Sequence, residues 1–378
     1  MPEFPIKKLE VLRLDKKYPG WYNKNVGHLL TRCFPRSSRA GTVCAGNFYS
    51  PSRQHFHRVG IDFREVIDLA IVQTDVPMTS QRCETAIRQL LDAYPFLETH
   101  VLTTTAYGRP VMALKFGSGD RRVLYTAAHH GNEWITATVL LKFVEELAHE
   151  VQNDGTLYGI RAMHAVQAST LYVVPMVNPD GVDLVTGAIS QGSEEYRAAQ
   201  AIAARFPGIP FPEGWKANLI GVDLNLQYPA GWLTAREIKF SLGYTRPAPR
   251  DYVGRAPLNQ RESLALAQYT EAVDPTLVLA YHTQGRQIFW QFEDYQVPGA
   301  QALAEEFARL SGYGLEPVAY QSGFAGYKDW FIQSFRRPGF TIEAGDGKSP
   351  LPLSQFPQIY GENLGILMTA ALGLPGGV

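Results

Sequence analysis

The chain lacks the features by which several protein classes announce themselves. Its 378 residues hold three cysteines, Cys33, Cys44 and Cys83, and no C-x-x-C pair. A disulfide-built scaffold is therefore not expected, and a reducing compartment is. Charge of one sign is not in excess: 35 basic residues stand against 36 acidic ones, with no basic block or acidic tail. Composition thus makes no case for nucleic acid or an anionic membrane surface as partner. No apolar stretch reaches the roughly 18–20 residues that span a bilayer. The start, Met-Pro-Glu-Phe-Pro-Ile-Lys-Lys, carries no apolar signal core, so the expected localisation is cytoplasmic, away from membranes. What remains, 45% hydrophobic and 19% charged residues, describes a globular chain able to bury one large core with a small appendage.

Residues 1–75 differ from the rest. They cluster basic residues (Arg32, Arg36, Arg39, Arg53, Arg58) and two of the cysteines without sustained periodicity, which predicts an N-terminal extension before a domain at 76–378. From Thr79 a helix is expected to Tyr94, with Ile87, Leu90 and Leu91 on one face. Strands and helices then alternate. Strands are expected at His100–Ala106, Pro110–Phe116, Val123–Ala128, Ser169–Val177, Thr276–His282, Gln287–Gln291 and Gly339–Glu343. Helices are expected at Glu133–Val151, Glu194–Phe206, Gln260–Val273, Gly299–Leu310, Tyr327–Phe335 and Gln355–Leu372. The unbroken apolar run Thr276–Tyr281 suits a central strand covered on both faces. Pro207–Gly221 and Tyr228–Pro257 read as long polar loops, a length that usually serves function or disorder.

The candidate chemistry begins at His130-Gly131-Asn132-Glu133, between the apolar run Val123–Ala128 and an amphipathic stretch from Trp134 to Val151. A histidine and a glutamate three residues apart at a strand-to-helix junction can share a cavity and suit a zinc ion. His129 competes with His130, but the three-residue spacing favours His130. Only one of the nine histidines follows His164. That one, His282, ends an apolar run, where an open α/β sheet presents groups to a ligand. Two imidazoles and one carboxylate leave the fourth zinc position open, as in catalytic sites. Glu343, at the end of Gly339–Ile342, is either a helix-capping or solvated residue or a carboxylate aimed at the same cavity, where it can take a proton from water. Aromatics in the second half (Tyr281, Phe289, Trp290, Phe292, Tyr295) read as core packing, with a substrate groove as the other possibility.

Taken in order, His130-Gly131-Asn132-Glu133, Asn178-Pro179-Asp180-Gly181, Gly221-Val222-Asp223-Leu224-Asn225, His282 and Phe340-Thr341-Ile342-Glu343 resemble the zinc carboxypeptidases of the carboxypeptidase A superfamily, over about residues 79–373. More narrowly, Ala128–Thr136, Gly221–Ala230, Pro249-Arg250-Asp251-Tyr252 and Thr341–Gly345 are similar to the γ-D-glutamyl-meso-diaminopimelate peptidases, which cut peptidoglycan stem peptides. The resemblance implies an α/β fold, a three-layer α/β/α architecture with a mixed, mostly parallel twisted sheet. It implies one Zn2+ per chain on His130, Glu133 and His282, with Glu343 as base and acid. Lys216, in Trp215-Lys216 where the family has Trp-Arg, is implied to polarise the scissile carbonyl. Asn225 matches a carboxylate-binding asparagine, and Tyr320 the tyrosine over the substrate, with Tyr327 as rival.

One departure narrows the substrate. The arginine that grips a peptide C-terminus in ordinary carboxypeptidases is Leu226 here. Losing a bidentate contact argues against a general carboxypeptidase, and Arg250 or Arg255 from the long loop is expected to replace it. The expected partner is thus a peptidoglycan-derived peptide. The rivals are a metallocarboxypeptidase, an amidohydrolase of acylated amino acids and a non-catalytic peptidoglycan-sensing relative.

Overall fold

A computed structural model describes residues 70–373. The expected extension, residues 1–75, lies outside these except for its last six positions. Within those six, Val72 is fully buried and Ile71 N–H donates to Glu145 Oε1 at 2.6 Å, so packing begins upstream of Thr79.

In chain order the elements are α1 (Ser80–Ala93), β1 (Glu98–Thr104), β2 (Pro110–Gly117), β3 (Arg121–Ala127), α2 (Ile135–Gln152), β4 (Thr156–Leu157), β5 (Ile160–Arg161), α3 (Ala162–Ala168), β6 (Ser169–Val174), α4 (Pro179–Thr186), α5 (Glu194–Ala203), α6 (Trp232–Ser241), α7 (Arg261–Val273), β7 (Leu277–His282), β8 (Gln287–Phe289), α8 (Ala300–Ser311), α9 (Tyr327–Phe335), β9 (Gly339–Glu343) and α10 (Phe356–Leu372). Seven strands form one sheet in the order β1-β2-β6-β3-β7-β9-β8. The inner four, β6, β3, β7 and β9, are mutually parallel, and antiparallel pairings close both edges. The result is the expected mixed, mostly parallel sheet.

Helices cover both faces, and alternation along the strands shows why. Val123, Tyr125 and Ala127 of β3 and Leu277, Leu279 and Tyr281 of β7 pack with α2, α8 and α10 residues such as Phe143, Phe307 and Leu367. The intervening Leu124, Val278 and Ala280 pack on the other side with Leu266 of α7 and Trp330 and Phe331 of α9. Period-two side chains with apolar residues on both faces are what a central parallel strand requires. No helix of the described residues is long and apolar enough to cross a membrane.

The structure departs from the sequence expectations most in the supposed loop Tyr228–Pro257, which contains α6. Its buried residues, Trp232, Ala235 and Lys239, do recur at helical spacing. A lysine on the buried stripe hides the pattern, because its burial depends on a partner, Asp251, twelve residues away. Helix α4 opens on Pro179 with Asn178 as its cap, the Asn178 Oδ1 accepting from Gly181 N–H at 2.9 Å. A Pro-Asp-Gly string therefore begins a helix here, as proline at the first helical position allows. Strand β6 ends at Val174, three residues short of expectation.

Candidate metal centre

The site lies where β3, β7 and β9 end. Parallel register aligns Ala127 with Tyr281, and His282 with Glu343, so these side chains leave the sheet at one level, as ligand-binding groups do in open α/β sheets. After β3 the chain turns through Ala128, at φ +48°, and makes one 3-10 turn over Gly131–Glu133. Glu133 N–H donates to His130 O at 3.2 Å, and that single turn brings the two side chains onto one side. Glycine is required at 131 by close approach: a Cβ there would sit 2.5 Å from the backbone of Gly181. Gly131 N–H also donates to Lys216 O at 3.0 Å, pinning the turn to a distant loop.

Three donor groups converge. His130 Nδ1 lies 2.9 Å from Glu133 Oε1, His282 Nδ1 lies 2.9 Å from Glu133 Oε2, and the two Nδ1 atoms are 3.3 Å apart. All three side chains are buried. His130 Nε2 faces Asp223 Oδ1 at 3.1 Å. With its Nε2–H donated there, a neutral His130 turns an Nδ1 lone pair toward Glu133 and His282. Two imidazole nitrogens and a carboxylate meeting in this way form a donor set that fits zinc.

Charge around the set is arranged to match. Burial opposes the imidazolium of His130, but the Glu133 and Asp223 carboxylates prevail and push it up to about 9, so the ring becomes the neutral donor by releasing its Nδ1 proton when a cation binds. Burial alone would raise Glu133, yet His130, Lys216 and His282 hold it well below the usual carboxylate range. Lys216 Nζ donates to Glu133 Oε1 at 2.7 Å and stays an ammonium, since that carboxylate outweighs burial and the opposing charge of Arg250. Glu343, half-buried, is pushed the other way: loss of water and the nearby Glu133 raise it, against His282 and Lys216. An acid raised above its ordinary range is better suited both to take and to return a proton.

The structure thus brings His130, Glu133, His282, Lys216 and Glu343 together, with Arg250 close enough to act on Lys216. Asn225 is half-buried, its Oδ1 accepting from Tyr327 N–H at 3.0 Å, which leaves its Nδ2 donors to point elsewhere. Tyr320 is 69% exposed, packed edge-on against Phe324 beside a cavity of about 810 Å3. Phe289, Trp290, Phe292 and Tyr295 line the same cavity, whereas Tyr281 belongs to the core. Tyr327 is wholly buried, and its hydroxyl shares a 2.8 Å hydrogen bond with Thr270. It reaches no ligand without leaving the core. Arg255 is exposed on the long loop and joins no ion pair among the described residues. His129 stacks on His282 with ring centroids 5.2 Å apart; burial and the flanking histidines keep it neutral. Leu226 packs against Trp232, Ala235, Val253 and Ala325.

Two residues gain roles that the sequence did not assign. Asp223 holds His130 from 93 positions away. Asn178 turns its Nδ2 toward the carbonyls of His129, Lys216 and Ala217, at 3.0–3.2 Å, tying the histidine turn to the Lys216 segment. Both sit in the Asn-Pro-Asp-Gly and Gly-Val-Asp-Leu-Asn strings, so the motifs were visible and only the contacts were not.

Comparison with known proteins gives a consistent result. The zinc carboxypeptidase family model matches residues 83–365. The chain is 43% identical over 282 residues to gamma-D-glutamyl-L-diamino acid endopeptidase 1 of Lysinibacillus sphaericus, covering 75% of this chain and 69% of that protein. It is 36% identical over 290 residues to the uncharacterized protein YqgT of Bacillus subtilis (strain 168), covering 76% and 75% respectively. Thrombin activatable fibrinolysis inhibitor shares the fold, with a TM-score of 0.64 at 16% identity over 80% of this chain and 76% of that one. The chain belongs to the zinc carboxypeptidase family and is a zinc-dependent peptidase.

Proposed function

We propose that the chain hydrolyses the amide between the γ-carboxyl of D-glutamate and diaminopimelate in peptidoglycan stem peptides. The observation that carries this reading is the 43% identity to an enzyme named for the γ-D-glutamyl-L-diamino acid bond. Leu226 supports it, since it stands at the position of the arginine with which a general carboxypeptidase holds a plain C-terminus.

In this reading His130, Glu133 and His282 hold one zinc ion per chain. Bound zinc supplies Lewis acidity, polarising a carbonyl and making water more acidic. Glu343 takes the proton from the attacking water and returns it to the departing amine nitrogen of diaminopimelate. Lys216 faces the carbonyl oxygen as negative charge grows on it. Asn225 Nδ2 and the Arg250 guanidinium bind a substrate carboxylate, and Tyr320 folds over the peptide from its exposed turn. Of the two loop arginines Arg250 is preferred, because its charge is felt at Lys216 while Arg255 stands in solvent.

Asp223 keeps the His130 ring turned toward the ion. Asp223→Asn is expected to weaken zinc binding by about 10–100-fold, as read by competition with a chromogenic chelator. Unchanged affinity would remove Asp223 from this role. The substrate assignment is tested by incubating the zinc-loaded protein with L-Ala-γ-D-Glu-diaminopimelate and with its lysine analogue, reading products by mass. Free diaminopimelate is the expected product. Release of terminal D-alanine from longer stems with the γ-bond intact would overturn the reading in favour of a carboxypeptidase.

A further inference from the structure

The segment Pro249–Tyr252 touches the candidate site at several points through its backbone. Pro249 O accepts from Lys216 N–H at 2.8 Å and from Ala217 N–H at 2.9 Å. Asp251 N–H donates to Asp223 Oδ2 at 3.1 Å, and Tyr252 O accepts from Asp223 N–H at 2.9 Å. One short stretch therefore sets both the Lys216 segment of the site and the carboxylate behind His130. Asp251 makes its contact from a left-handed backbone, φ +65°, a region that few residues with a Cβ enter without strain.

The Asp251 side chain is shared between two cations. Its Oδ1 accepts from Lys239 Nζ at 2.6 Å and its Oδ2 from Arg250 Nε at 2.7 Å. Lys239 is buried on α6, so it anchors the carboxylate from the protein side. Arg250 is 41% exposed and joins through Nε alone. Its two terminal nitrogens remain as a planar fork, the geometry that receives a carboxylate.

We infer that Asp251 is a positioning residue with two separable parts. Its carboxylate, braced by Lys239, fixes the orientation in which Arg250 offers its fork to the substrate carboxylate. Its N–H holds Asp223, and through it the ring of His130. The inference rests on the role given to Arg250 above and adds the residue through which Arg250 acts.

Glycine separates the two parts, because it adopts φ +65° freely and keeps the N–H while removing the carboxylate. Asp251→Gly is expected to raise KM for L-Ala-γ-D-Glu-diaminopimelate about tenfold, the scale of one charge-assisted hydrogen bond. Lys239 is left buried without its partner, so the variant is expected to be less stable, but at temperatures where it stays folded its kcat and zinc content are expected to match the native chain. Arg250→Ala is expected to raise KM at least as much, and the double variant no more than Arg250→Ala alone. A second readout avoids turnover: calorimetric titration of zinc-stripped protein with free diaminopimelate, weakened alike in both single variants. Asp251→Gly with native KM, or effects that multiply in the double variant, overturns the inference while the substrate reading stands. A fall in kcat and zinc content at unchanged KM also overturns it, since that marks a general structural role. Native protein that leaves the γ-bond intact overturns both readings together.

Discussion

Glu343→Gln is expected to keep zinc and bind the tripeptide while losing about two to four orders of magnitude in kcat, the usual contribution of a positioned acid–base group. Glutamine preserves the shape of the side chain and its place at the end of β9, in register with His282. It removes only the ability to carry a proton. The loss therefore falls on turnover, with KM little changed, because the carboxylate contacts assigned to Asn225 and Arg250 are untouched. Metal analysis alongside single-turnover kinetics checks this. A variant with native kcat would remove Glu343 from the reaction, and one without zinc would make it a ligand instead.

The second large effect is expected at Lys216. Its ammonium lies 2.7 Å from Glu133 Oε1, and the proposed mechanism has it meet charge growing on the carbonyl oxygen. Lys216→Ala should lower kcat by about 10²–10³, the cost of losing one oxyanion donor. Lys216→Arg should recover part of that loss, since the family has a guanidinium here, although a fork does not replace a point charge contact for contact. Zinc content must be measured in both variants, because Lys216 also donates to a proposed ligand. Native kcat in Lys216→Ala, with zinc retained, would leave the ammonium a merely structural partner of Glu133.

The strands and helices that carry the core were legible because burial on both faces leaves long apolar runs, as in Leu277–Tyr281. The candidate group His130, Glu133, His282 and Glu343 was readable for a related reason: His282 and Glu343 end such runs, and His130 and Glu133 follow one within five residues. What stayed hidden depends on pairings across the chain. Nothing in the sequence around Lys239 shows that Asp251 neutralises it, and with it α6 went unread. Asp223 stood in a motif, but nothing near it in sequence reveals its contact with His130. Tyr320 and Tyr327 are the same residue type on either side of Phe324. The hydroxyl contact with Thr270 and the rings of His129, Tyr228 and Trp330 around it separate the buried Tyr327 from the exposed Tyr320.

The pairing of His282 with Glu343 across neighbouring parallel strands has an engineering consequence. Adjacent strands keep a spacing of about 4.8 Å through backbone hydrogen bonds alone, so the sheet acts as a ruler between His282, the proposed ligand, and Glu343, the proposed proton carrier. The loop Tyr228–Pro257, whose Arg250 is proposed to meet substrate, lies outside these two strands, but its Pro249–Tyr252 segment braces Lys216 and Asp223 through backbone hydrogen bonds. Grafting that loop from a relative with different side-chain preference, with Pro249–Tyr252 kept, should therefore retune selectivity while the distance on the ruler stays fixed.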